Sequence, residues 1–103
     1  MKNTFTNGWL LRDMRTNIAT AVDYTLNADE KRPYISVNAT AASKSLVLGV
    51  EEGDMAIVAN VGATNAITIK NLAGDTGTSL AAGKIALVVA SETANATVVT
   101  ALN

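Results

Sequence analysis

The chain predicts an all-β fold: an antiparallel β-sandwich or jelly roll of seven to eight short strands, with an N-terminal arm or short helix. Three observations predict it. From Ala21 onward, apolar and polar residues alternate with a period of two in a series of short runs. Clusters of Gly, Asn and Asp separate those runs and read as turns. The run centres, near residues 24, 36, 47, 58, 68, 87 and 98, lie mostly about 10–12 residues apart, the rhythm of sandwiches and barrels.

Taken in order, residues 1–19 form the arm and residues 20–103 the body. Met1 to Gly8 is polar and turn-rich. Trp9, Leu10, Leu11, Met14 and Ile18 then recur at near-helical spacing. A short helix from Trp9 to Ala19, with Asn7 as its cap, and an extended arm both fit this pattern. In the body, Val22, Tyr24 and Leu26 alternate with polar residues, and Ala28 to Pro33 is a charged turn. Ile35 and Val37 follow, then Leu46, Leu48 and Val50. Glu51 to Asp54 is an acidic turn in which Gly53 supplies an unusual backbone angle. Met55, Ile57, Ala59 and Val61 share one face, and Gly62 to Asn65 turns again before Ile67 and Ile69. The loop through Gly74 and Gly77 conceals a short strand near Ser79. Ile85, Leu87 and Val89 form the next run, and Thr97 to Leu102 the last. Short links favour antiparallel neighbours. No helical segments of βαβ length intervene, so a doubly wound sheet is not expected.

Composition narrows the function. The chain has 103 residues, enough for one domain with a modest core. It contains no Cys and no His, which removes disulfides, thiol nucleophiles, Cys or His zinc sites and imidazole-based triads. A net charge of −1 does not suit a general nucleic-acid binder. No apolar run reaches membrane-spanning length, and no apolar stretch follows a basic start as in a secretory signal. Neither a cofactor nor a metal is expected.

Individual motifs carry little chemistry. Gly77 to Lys84 fails the phosphate-loop spacing, and Ile85 stands where a hydroxyl would hold magnesium. It reads as a turn leading into a strand. Glu51, Glu52 and Asp54 do not have the alternating spacing of a calcium loop. Asp29 and Glu30 beside Lys31 and Arg32 form a charged turn. Ser43-Lys44-Ser45 suggests a Ser–Lys dyad, but neighbours along a strand point to opposite faces. Asn38-Ala39-Thr40 and Asn95-Ala96-Thr97 match the glycosylation sequon in a chain rich in Asn and Thr. No catalytic residue is assigned, and an enzyme is not expected.

Two features point outward to partners. The runs Met55–Ala59 and Ile85–Ala90 are apolar and uncharged, and such strands template aggregation when exposed. Either they are central and covered on both sides, or their second face packs on another copy. The arm, with Lys2, Arg12 and Arg15 against Asp13, is slightly basic and holds Trp9, the only Trp. Trp and Arg dominate interface hot spots. Trp9, with Arg12 and Arg15 one turn along if the segment is helical, is therefore a candidate anchor in a partner's pocket. For Trp9 the alternative is that it tucks against its own body.

The order Tyr24-Thr25-Leu26-Asn27-Ala28-Asp29, Ile35-Ser36-Val37-Asn38 and Leu46-Val47-Leu48 continues with Gly53-Asp54-Met55-Ala56-Ile57-Val58-Ala59-Asn60-Val61-Gly62. Asn65-Ala66-Ile67-Thr68-Ile69 and Leu80-Ala81-Ala82-Gly83-Lys84-Ile85-Ala86-Leu87-Val88 complete it. This order resembles the small β-sandwich modules of tailed-bacteriophage virion proteins, particularly capsid decoration and head-fibre proteins. The resemblance spans about residues 20–103 and rests on strand-and-turn rhythm and small-residue bias. It implies a non-enzymatic structural role: clamping capsid subunits from outside the shell, with the major capsid protein as partner. It further implies a homo-oligomer, a trimer by preference, made in the bacterial cytoplasm and carried on the outer capsid surface. Docking would fall to the arm, with Phe5, Trp9, Leu10, Leu11, Arg12, Met14 and Arg15 as the partner-binding residues, and deletion of residues 1–19 is expected to leave the body folded and to abolish docking. A short head or tail fibre, or an adhesin binding host-surface glycan, is the competing expectation. No contact with nucleic acid or membrane is implied.

Overall fold

A computed structural model describes residues 14–90 and the backbone of 98–101. The fold is β-rich, with nine strands and one short 3-10 turn among the described residues. In chain order the strands are β1 (Arg15–Thr20), β2 (Tyr24–Thr25), β3 (Tyr34–Ala39), β4 (Lys44–Val47) and β5 (Met55–Asn60). They continue with β6 (Ile67–Lys70), β7 (Thr78–Leu80), β8 (Ile85–Val89) and β9 (Val98–Ala101). They form a five-stranded sheet A, ordered β1-β3-β5-β8-β9, and a four-stranded sheet B, ordered β2-β4-β6-β7.

The first six strands alternate between the sheets, so each coil of chain adds one strand to each. Pairing joins Arg15 to Tyr34 and Tyr34 to Ile57, which are 19 and 23 residues apart. In sheet B, Tyr24 pairs with Leu46 and Lys44 with Ile67, 22 and 23 residues apart. All four of these ladders are parallel. The antiparallel arrangement expected from short links occurs only in β5–β8, β6–β7 and β8–β9. Both sheets are therefore mixed. The short links of the first half are arches that carry the chain to the opposite sheet, not hairpins that return it beside itself.

The period-two runs become strands because alternate side chains reach one core between the sheets. In β3 the burial alternates strictly, with Ile35, Val37 and Ala39 inside. Sheet A contributes Ile18, Ile35, Val37, Val58, Ala86 and Val88 to a single hydrophobic cluster, and the sheet B side contributes Leu26, Leu46, Leu48, Ile67, Ile69 and Leu80. Burying each larger aliphatic side chain is worth about 1.5–3 kcal/mol. The short strand expected near Ser79 is β7.

The arm–body boundary also reads differently in the structure. Residues 15–19, assigned to the arm from sequence, lie within β1, where Thr16, Ile18 and Thr20 are buried. The helical alternative for residues 9–19 fails over its described part. Ile18 is in the core, so removing residues 1–19 would remove a core strand.

Buried polar groups tie the layers together. Asn60 and Asn71 are almost fully buried. The Asn71 amide Nδ2 donates to Val50 O at 3.0 Å, and Val50 N donates to Asn71 Oδ1 at 2.9 Å. Asp75 Oδ2 accepts from Asn71 N and Leu72 N. Among the described residues, every buried side-chain nitrogen and oxygen has a partner. Unpaired, such groups would each cost about 1–3 kcal/mol.

Candidate functional site

The outer face of sheet A carries the strongest signal. Its register aligns Arg15, Tyr34, Ile57 and Leu87 across four strands. A second row pairs Met55 with Val89. These side chains point away from the core because Ala56, Val58, Ala86 and Val88 point into it. Met55 is 64% exposed and Ile57 38%, while Ile85, Leu87 and Val89 are half-buried. On the β1–β3 side the face turns polar, and Ser36 Oγ donates to Asn17 Oδ1 at 2.8 Å. Arg15 is the one charged residue among the described strand positions of this face. Contiguous apolar surface rimmed by polar residues marks interaction sites.

The two apolar runs singled out from sequence are β5 and β8. They are central, since β5 lies between β3 and β8, and β8 between β5 and β9. Their edges are paired, while the second face of β5 stays open at Met55 and Ile57.

Sheet B presents the opposite character. Ser45, Thr68 and Ser79 align across β4, β6 and β7 on its outer face. Beside them is an open recess lined by Ser43, Lys44, Thr64, Asn65, Thr68 and Ser79. Asn65 Nδ2 is committed to Ala39 O at 2.9 Å.

A smaller cavity of about 170 Å³ opens between the sheets at the start of β3 and β5. Ile35, Leu48, Val50, Ala56 and Val88 line it, with Lys31, Arg32, Asp54 and Met55 around them. Lys31 Nζ donates to Gly49 O at 2.7 Å.

The charged segments of the sequence act as turns. Glu51 N donates to Asp54 Oδ2 at 3.1 Å, and Asp54 N to Glu51 O at 3.0 Å. Gly53 within this turn has φ +88°, as the sequence predicts. Ala28–Glu30 is the 3-10 turn. Glu30 Oε1 accepts from Asn27 N at 3.0 Å, and Tyr24 Oη donates to Glu30 Oε2 at 2.7 Å. The Asn27 amide, then the Tyr24 hydroxyl, lowers the Glu30 carboxyl pKa, while the bond to Glu30 raises that of the Tyr24 phenol. No group of three or more acidic side chains that could hold a metal occurs among the described residues.

Of the partner-binding candidates, Phe5, Trp9, Leu10, Leu11 and Arg12 lie outside the described residues. Met14 is 43% exposed, and its carbonyl accepts from Tyr34 N at 3.3 Å. Arg15 stands in the same row as Ile57, so the structure brings one of the candidates to the apolar face. Sequence reasoning missed the cavity between the sheets, whose lining comes from four separate segments with no shared motif. Comparison with protein-family models, curated proteins and solved structures finds no match to this chain.

Proposed function

We propose that the chain is a non-enzymatic structural protein of a tailed-phage virion that decorates the outer capsid surface and stabilises the shell. The observation that supports this reading best is the asymmetry of the two outer faces. The apolar face at Met55 and Ile57 suits a protein partner, and the hydroxyl row of sheet B suits water. The major capsid protein is the partner on this reading, and the working assembly is a homo-oligomer, with a trimer favoured. Arm residues Phe5 to Arg15 extend the contact beyond the sheet.

The test is co-sedimentation of the full chain with expanded capsids that do not contain it. Saturation at a fixed ratio to capsid subunits, lost on Ile57→Glu in a chain that remains folded, is the expected result. Absence of binding to intact shells would sink the proposal. A second reading, an adhesin or short fibre recognising host-surface glycan, draws on the polar recess around Thr64, Thr68 and Ser79. Binding to cell-wall glycan, abolished by Thr68→Val, would favour it.

A further inference from the structure

We propose that the cavity between the sheets binds a small carboxylate with a compact apolar body, the class to which benzoate belongs. Its size sets the first limit. At about 170 Å³ it is below the ~300 Å³ usual for drug-sized ligands. It is close to the ~150 Å³ apolar cavity that accepts benzene. One ring, or a branched chain of similar bulk, is the right scale of occupant.

The space has a local cause. Ala56 faces the core in β5 and pairs with Val88 of β8. It offers a single methyl group where the inward positions around it carry Ile35, Val58 and Val88. The walls are tied and do not close over the gap. On the sheet B side, Gly49 N donates to Asn71 O at 2.9 Å, and the Asn71 side chain holds both the N–H and the carbonyl of Val50. On the sheet A side, Ile57 N donates to Pro33 O at 2.7 Å and Ala90 N to Asp54 O at 2.9 Å. A site held open in advance spares its ligand the cost of ordering it.

The charges in the lining select the ligand's head. Lys31 Nζ donates to Gly49 O at 2.7 Å. That carbonyl is neutral, so the bond fixes the ammonium in place without cancelling its charge. Arg32 is a second cation in the lining, steadied by bonds from Nε to Asp29 O at 3.1 Å and from Nη1 to Arg15 O at 3.4 Å. Asp54 brings one negative charge, and its Oδ2 accepts from Glu51 N at 3.1 Å within the acidic turn. Two cations against one carboxylate favour a negative head, which Lys31 is placed to receive. The aliphatic side chains of Ile35, Leu48, Val50, Ala56 and Val88 suit the apolar body.

The test uses the free full chain without capsids, so it succeeds or fails apart from the capsid reading. Benzoate, benzyl alcohol and benzylamine share a ring and differ in charge. Each is titrated at low salt, and NMR shifts at Ile35, Leu48 and Val88 read binding. Benzoate should bind about tenfold tighter than the alcohol, the worth of one hydrogen bond to a charged group. Benzylamine should bind weakest. Lys31→Met keeps the aliphatic stem and should erase the advantage of benzoate over the alcohol. Asp54→Asn keeps an acceptor for Glu51 N and should tighten benzoate several-fold. Ala56→Leu should fill the cavity and abolish binding of all three. Lys31→Met changes only the head contact, so it remains decisive where Ala56→Leu fails to fold. Absence of benzoate-induced shifts at Ile35, Leu48 and Val88 would overturn the proposal. So would benzylamine binding as tightly as benzoate, or a benzoate affinity that Lys31→Met leaves undiminished.

Discussion

The Asn60 side chain donates from Nδ2 to the carbonyl of Leu80 at 2.9 Å, joining a strand of sheet A to the end of a strand of sheet B. The same amide donates to Asn65 O at 3.0 Å, and Asn60 Oδ1 accepts from Gly62 N at 3.0 Å. One buried side chain thus serves three backbone groups. Asn60→Ala leaves all three without that partner. A loss of about 3 kcal/mol follows from the cost of unpaired buried groups. Urea unfolding with an unchanged m-value would measure it. A loss below about 1 kcal/mol would mean that water replaces the amide.

Two glycines with positive φ should respond differently to a methyl group. At Gly77 (φ +76°) an added Cβ would lie 2.6 Å from Thr68 Cγ2 and 2.8 Å from Ile69 O. At Gly53 (φ +88°) nothing lies within 4 Å. Gly53→Ala should cost about 1–2 kcal/mol, the left-handed penalty alone. Gly77→Ala should cost more, because the strand backbone must also shift. Thermal unfolding of the pair gives the order, and equal losses would refute it.

The Tyr24–Glu30 hydrogen bond sets a pH dependence with a defined sign. The folded Glu30 pKa is depressed, so its contribution is present above the ordinary carboxylate pKa and is lost as pH falls through the depressed value. The folded Tyr24 pKa is raised, so its contribution is full below about pH 10 and is lost as pH rises through the raised value. Tyr24→Phe should abolish the alkaline loss and only reduce the acid loss, because the Asn27 amide still holds Glu30. Stability measured across both limbs checks this, and a Tyr24→Phe profile that matches wild type would refute it.

Truncation distinguishes arm from body. Deletion of residues 1–19 removes Ile18 and exposes the β3 edge, so the remaining chain should aggregate or lose cooperative unfolding. Ile18→Ala in the full chain should cost about 2–4 kcal/mol. A truncated chain that unfolds cooperatively at the wild-type midpoint would show that β1 adds nothing to the body.

Much of the fold is legible in the sequence, and the illegible parts have identifiable causes. Ile35-Ser36-Val37 and Ile67-Thr68-Ile69 announce strands because their burial follows the alternation residue by residue. The parallel pairing is hidden because an arch to the opposite sheet needs no more residues than a hairpin. Strand β1 is hidden because Thr16 and Thr20 read as polar but point inward, which leaves Ile18 to be grouped with Trp9, Leu10, Leu11 and Met14 at helical spacing. Asn60 and Asn71 look like solvent positions, and only their tertiary partners justify their burial. The apolar face was half legible. The runs of β5 and β8 gave it away, but the contribution of Arg15 and Tyr34 to the same row depends on a register that no local pattern carries.

The alternation of strands between the sheets has a kinetic consequence. In the first half of the chain no strand pairs with its immediate successor, so no hairpin can nucleate there. Local pairing is confined to β6–β7 and β8–β9. Closing a loop of about 20 residues must come before any parallel contact stabilises it. The N-terminal coils leave the ribosome first, but their sheet B strands must wait for the Ile67–Leu80 hairpin and their sheet A strands for the β8–β9 pair before they have a template. Folding should therefore run backward along the chain and finish after synthesis, with amide protection in β6 and β7 preceding that in β1.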